Sequence, residues 1–298
     1  MKNCTRSARF LALLATGVLT CTGSCRKENS QASQTLPGTA VSLAVQADAE
    51  ASGVFNDVFD NVMGVNNQVG MAGTGIFART IAREDSLGTC YTVQVTSLAA
   101  PALFPVQVTI DFGPGCQGKD GHVRRGRILV TYSGRLIKPG AGATVRLDGF
   151  ALDSLEVDGT LSITNTGSPA GLQFSVDVPQ ASLRRPSGDY TQWTSHRVLT
   201  QSQGMATPDF PLDDTYRIEG GSRGLVQQDS ILANWETTIT DPLIKRFLCR
   251  WIVQGKIQVV LSGSTPDSWS AVLDYGRGAC DNYATVTVNG TVREISLH

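Results

Sequence analysis

Asp111-Phe112-Gly113-Pro114-Gly115-Cys116 has a near-copy later in the chain, Asp274-Tyr275-Gly276-Arg277-Gly278-Ala279-Cys280. Each copy closes an alternating apolar run, Val106-Gln107-Val108-Thr109-Ile110 in the first and Ala271-Val272-Leu273 in the second. Alternation of this kind reads as a half-buried strand. Each copy also has a cysteine upstream, Cys90 or Cys249. In a hairpin, cross-strand partners share a constant index sum, so their midpoint falls in the turn. Cys90 and Cys116 are centred on residue 103, within Ala100-Pro101-Ala102-Leu103-Phe104-Pro105. Cys249 and Cys280 are centred between residues 264 and 265, within Gly263-Ser264-Thr265-Pro266-Asp267. Both midpoints land on turn residues, which predicts two stapled hairpins with disulfides Cys90–Cys116 and Cys249–Cys280. One parity conflict remains: Tyr91, Val93 and Val95 are odd-numbered, Val106, Val108 and Ile110 even. A one-residue bulge at the glycines before Cys116 is the expected remedy. In the chain-entropy model each staple contributes roughly 3–4 kcal/mol.

The rest of the chain from residue 74 reads as β. Arg127–Tyr132, Thr144–Leu147, Thr160–Thr164, Leu172–Val178, Thr215–Ile218, Lys256–Leu261 and Ala284–Val288 favour strands, joined by short Gly-, Pro-, Asn- and Asp-rich linkers. Without an alternation of strand and helix, a parallel α/β fold is disfavoured. An apolar–polar–glycine triplet recurs at Leu147-Asp148-Gly149, Val157-Asp158-Gly159, Ile218-Glu219-Gly220, Val253-Gln254-Gly255 and Val288-Asn289-Gly290. Such glycines mark either bends that let a long sheet curl or hairpin turns, and the sequence leaves both open. One helix is expected where Val54, Phe55, Val58, Phe59, Val62 and Met63 recur at helical spacing, with Asp48 or Ser52 as its cap. The fold class expected is mainly β: a single antiparallel meander, sandwich or curled half-barrel, with one N-terminal helix packed on the sheet.

Residues 1–24 combine Lys2, Arg6 and Arg9 with the apolar stretch Phe10–Leu19, too short to span a bilayer as an ordinary membrane helix. They read as an export signal. Thr22-Gly23-Ser24-Cys25, followed by Arg26-Lys27-Glu28, resembles the lipobox of bacterial lipoproteins, in the style of the Bacteroidota. The resemblance implies cleavage before Cys25 and acylation of that cysteine. Cys21, preceded by Val18-Leu19-Thr20, is the competing site, and a plain cleaved secretory signal is the alternative to both. Residues 25–46 then read as lipidated cysteine and flexible tether, and residues 47–298 as a single β-rich domain. The four cysteines beyond the signal region, even in number, fit an oxidising compartment. At 298 residues and 41% hydrophobic the chain can bury a sizeable core. Beyond residue 24 it carries 22 basic against 26 acidic side chains, a balance that argues against nucleic acid as a partner.

Chemistry-bearing patterns are sparse. Gly220-Gly221-Ser222-Arg223-Gly224 matches the nucleophile-elbow string but is followed by Leu225–Gln228 and Ile231–Ala233, which read as strand, not as the helix an elbow needs. His122, His196 and His298 form no metal spacing. Asp111, Asp120, Asp274 and Asp281 flank the stapled cysteines, where Ca²⁺ ligation competes with turn and cap bonding. Turn bonding is the expectation, with no metal, cofactor or catalytic residue. Trp193, Trp235, Trp251 and Trp269 are expected in or near the core rather than on a sugar-binding face.

Ile110–Cys116 with Asp120-Gly121 and Arg125–Ile128, together with Cys249–Ile252, Gly255–Ile257 and Leu273–Asp281, resembles an uncharacterised family of Bacteroidota lipoproteins. The resemblance covers nearly the whole chain beyond the signal and implies a lipid anchor and a β-rich fold, with no catalytic residues to carry over. The expected role is a non-catalytic binding or assembly module at the outer membrane, held on its periplasmic face or the cell surface. Its partners would be the membrane itself and an envelope protein or glycan. The alternative is a carrier sheltering an apolar ligand or lipid in a curled sheet. A metal-dependent or serine hydrolase ranks third. A carrier requires an apolar cavity beneath the helix; a binding module predicts a filled core.

Overall fold

The computed structural model describes residues 31–71, 90–168, 170–208, 210–262 and 269–297. Residues 1–24, read above as an export signal, Cys25 and the centre of the second hairpin turn lie outside the described residues. Helix α1 spans Gln31–Val62. The strands are β1 Thr92–Ser97, β2 Val106–Asp111, β3 Cys116–Gln117, β4 Val123–Tyr132, β5 Gly142–Leu152, β6 Leu155–Asn165 and β7 Gln173–Arg184. They continue as β8 Tyr190–Gln203, β9 Thr215–Gln228, β10 Ile231–Arg246, β11 Ile252–Leu261, β12 Ser270–Arg277, β13 Tyr283–Val288 and β14 Thr291–Ser296. All belong to one antiparallel sheet in which each strand lies beside its sequence neighbour; only two-residue β3 leaves the path, pairing with β4 beyond the end of β2. The meander with one packed helix is therefore the architecture, and the sheet stays open rather than closing into a barrel.

Both stapled hairpins form. Cys90 and Cys116 are bonded with Cα atoms 5.1 Å apart, and Cys249 and Cys280 at 5.8 Å. The expected one-residue bulge is too small. Val93 faces Ile110 and Val95 faces Val108; continued in that register, Cys90 would face Gly113. The turn at Phe112–Gly115 takes up the difference, with Gly113 at φ +57° and its N–H donated to Asp111 Oδ1 at 2.7 Å.

The recurring triplets resolve into two kinds. Gly149, Gly159, Gly220 and Gly255 lie along a band of bends, and Gly290 follows Asn289 in the two-residue turn between β13 and β14. Register shifts occupy the band between β4 and β5, β5 and β6, β6 and β7, β7 and β8, β9 and β10, β10 and β11, and β11 and β12. Pro242 sits in the same band, where a bulge spares the missing N–H. At Gly220, φ is +122° and an added Cβ would fall against the carbonyl of His196 on β8. Bulges raise local twist, so a row of them curls the whole sheet around a concave face.

Helix α1 fills that face, lying across β8 to β13. It is longer than the sequence expectation: Val41, Ala44 and Val45 are buried helical residues, so the apolar stripe extends into the end of the stretch expected to be tether. Its stripe packs by ring contacts, Phe55 stacked on Trp193 at 5.4 Å and Phe59 against Phe247 at 6.2 Å. Asp48 and Ser52, expected as caps, are instead mid-helix and buried. Tyr132 on β4 donates its hydroxyl to the Val62 carbonyl at 2.7 Å, satisfying one of the orphan groups at the helix end.

Candidate functional site

Helix residues 48, 52, 57, 60 and 61 present polar side chains inward, each buried and bonded to the sheet or its neighbours. Asp48 Oδ1 accepts from Trp193 Nε1 at 2.9 Å, Trp235 Nε1 at 3.2 Å and Ser222 Oγ at 2.5 Å. Burial of an indole favours such a partner, because an unmet N–H is costly. One turn on, Arg197 Nη2 donates to Ser52 Oγ at 2.7 Å, with its guanidinium 5.7 Å from the Trp193 ring centre. Lys245, fully buried on β10, reaches Asp60 Oδ2 at 2.9 Å.

The last link is a branched ion network. Arg124 on β4 donates to both Asp57 oxygens, at 2.9 and 2.5 Å, and to Asp120 Oδ2 at 2.8 Å. Asp120 also accepts from Arg250 at 2.7 Å, joining the loop beside Cys116 to the loop beside Cys249. Asn66 and Asn61 donate to the same Asp57 carboxylate. Burial alone would raise the pKa of Asp120, but bonds and charge from Arg124 and Arg250 outweigh it and hold the carboxyl below its ordinary value. The Arg124 proton is held more tightly than usual, since Asp57 and Asp120 outweigh the opposing effect of burial.

Beside this network, between α1 and the β10–β11 connection, is a cleft lined by Asp57, Asp60, Asn66, Arg250, Trp251 and Tyr275. Its free space is about 40 Å³, room for a few waters. Asp60 Oδ1 is buried there without a partner among the described residues. Burial pushes the Asp60 carboxyl up to about 6, against the opposing pull of Lys245. Asp57, Asp60 and Asp120 balance Arg124, Lys245 and Arg250, so at neutral pH the cluster offers little net charge to draw in an ion.

The residues singled out in the sequence take these places. Asp111, Asp274 and Asp281 bond the backbone N–H two residues on, as turn residues do. Asp120 bonds His122 N in the same way and carries the ion network as well. Ser222 lies mid-strand on β9, its hydroxyl held between Asp48 and Thr237. His122 and His196 pair with Asp153 at 2.6 Å and Asp177 at 2.5 Å, while His298 lies outside the described residues. Trp193 and Trp235 are core, and Trp251 and Trp269 are half-buried. Asp57, Asp60, Arg124 and Lys245 carried no signal in the sequence reading, although the 48-52-57-60-61 spacing on one helix was there to be read. Comparisons with family models, with curated proteins and with solved structures found no match.

Proposed function

We propose that this chain is a lipid-anchored envelope protein of the outer membrane, its stapled sheet serving as a non-catalytic binding or assembly module. The anchor rests on the lipobox-like Thr22–Cys25 and the charge that follows it. The binding reading rests on one observation, the filled interior. Phe55, Phe59, Leu161, Val176, Trp193 and Ile218 line a space beneath the helix of only about 30 Å³. That accommodates a water or two, whereas sites for organic ligands measure about 300–1,000 Å³. Two larger hollows open to solvent: a groove of about 640 Å³ along the bend at Pro179, Thr194, His196, Arg223 and Glu236, and a cleft of about 560 Å³ at the helix margin, between Leu43, Ala47 and Glu50 on one side and Arg185, Val226 and Ile295 on the other. Grooves of mixed polar and apolar lining on a rigid sheet suit an envelope protein or glycan.

Mass spectrometry of material co-purified from membranes tests this reading. A recurrent protein or glycan supports it; stoichiometric lipid bound to the domain, beyond the anchor itself, overturns it in favour of a carrier. Replacing Cys25 with Ala is expected to stop incorporation of labelled fatty acid and release the protein. If Cys21→Ala has that effect instead, the anchor is at Cys21; if neither does, the protein is not lipidated.

A further inference from the structure

The sheet has two edges of unlike chemistry. At one, β14 carries Arg293 and Glu294; at the other, β1 reads Thr92-Val93-Gln94-Val95-Thr96-Ser97, with neither charge nor proline. The N–H of Leu98 donates to the Pro105 carbonyl. Continued along the unbroken β1–β2 register, that bond makes Thr92, Gln94 and Thr96 the residues whose backbone groups face β2. Those of Val93, Val95 and Ser97 face outward, and no strand among the described residues pairs with them. Native edges are ordinarily blunted by charge, proline or bulges. β1 has none of these.

We propose that β1 is the docking edge for a second copy of this chain, the two strands pairing antiparallel about a two-fold axis at Gln94. Thr92-Val93-Gln94-Val95-Thr96 reads the same in both directions. About that axis Val93 faces the copy's Val95, and both direct N–H and C=O outward, so each pair closes two reciprocal hydrogen bonds. Val93 and Val95 are half-buried against the apolar core at the sheet's margin, and a continued sheet covers them further. Charge selects β1 over β14. A two-fold axis at residue 293 sets Arg293 against Arg293, and one at residue 294 sets Glu294 against Glu294; like charges directly opposite are destabilising. Joining six-residue edges falls short of the roughly 1,000 Å² of a stable interface, so the dimer is weak and reversible.

Sedimentation equilibrium of the full chain, in the detergent that extracts it, is expected to show a monomer–dimer equilibrium between micromolar and millimolar concentration. Val95→Pro removes an outward N–H and leaves the β1–β2 ladder intact; it weakens association by more than about tenfold. Should that variant misfold, Gln94→Lys sets two ammonium groups across the axis and weakens the dimer without touching the backbone. Gln94→Cys, in a non-hydrogen-bonded pair with Cα atoms about 4.5 Å apart, forms a disulfide dimer on mild oxidation. A monomer at every concentration overturns the proposal, as does a dimer indifferent to both Val95→Pro and Gln94→Lys. So does a Gln94→Cys chain that cross-links in cells to a different protein and never to itself.

Discussion

Arg124 and Asp57, 67 residues apart, form a two-pronged ion pair that is almost wholly shut off from solvent. It fastens the C-terminal half of α1 to β4, a strand outside the helix's main contacts with β8 to β13. Through Asp120 the same guanidinium reaches Arg250. Three segments remote in sequence are thus held by one ion network.

Removing Arg124 leaves the buried Asp57 carboxylate without its cation, while Asp120 keeps Arg250. Arg124→Met is expected to cost about 3–5 kcal/mol, the usual penalty for breaking a buried pair from one side. Arg127→Ala, which breaks an exposed pair with Asp148, should cost under about 1 kcal/mol. Urea denaturation of the two variants checks the contrast; equal losses would mean that the Arg124 network is no more than a surface pair.

Asp48 serves two indoles and a hydroxyl. Asp48→Ala leaves the Trp193 and Trp235 indoles without their acceptor, a loss of at least about 2 kcal/mol. Asp48→Asn keeps one oxygen and should lose less. Near-UV circular dichroism and tryptophan emission report the indole environment directly, and an unchanged spectrum in Asp48→Ala would contradict the assignment.

Asp214, buried beside β9, accepts from Tyr216 Oη at 2.9 Å and Gln201 Nε2 at 2.8 Å, with no cation bonded to it among the described residues. Burial raises its carboxyl to about 6, outweighing those two bonds. A folded-state pKa above the unfolded value means that the folded protein takes up a proton first. Its contribution is present below about 4 and lost as pH rises through about 6; Asp60 acts in the same sense. Relative to Asp214→Asn, the native chain should gain stability on going from pH 7 to pH 4.5. Parallel denaturation curves at the two pH values would contradict this.

Glycines in the bend and in the turn should differ. Gly290→Ala meets no neighbour and bears only the cost of its φ of +78°, about 1 kcal/mol. Gly220→Ala and Gly255→Ala add a collision with the adjoining strand's backbone and should lose several times as much. Thermal midpoints of the three variants decide it.

Much of this architecture was legible in the sequence. Alternating runs announced β2, β4, β6 and β7, and the cysteine midpoints announced the staples. β8 was not, because Thr191, Gln192, Thr194, Ser195 and His196 dilute its apolar positions and both its neighbours are needed to show the pairing. The candidate site was less legible still. A carboxylate on a helix usually meets water, and the partners that bury Asp48, Asp57 and Asp60 lie 67 to 187 residues downstream. Spacing along a helix reveals a stripe but not what receives it. The three-position offset before Cys116 was hidden for a simpler reason: index arithmetic detects a parity conflict and not its size.

The nearest-neighbour order of the sheet has a consequence for how the molecule comes into being. Each strand emerging from a ribosome finds its partner already made, so the sheet can grow by addition, hairpin upon hairpin. The helix runs counter to that economy. It is synthesised first, yet Trp193, Ser222 and Trp235, which receive Asp48, appear only after some two-thirds of the chain. Until then its apolar stripe and its acids have no concave surface to enter. The earliest of the described elements is the last to find its place, and the interval between those two events is when the nascent chain is most exposed to wrong company.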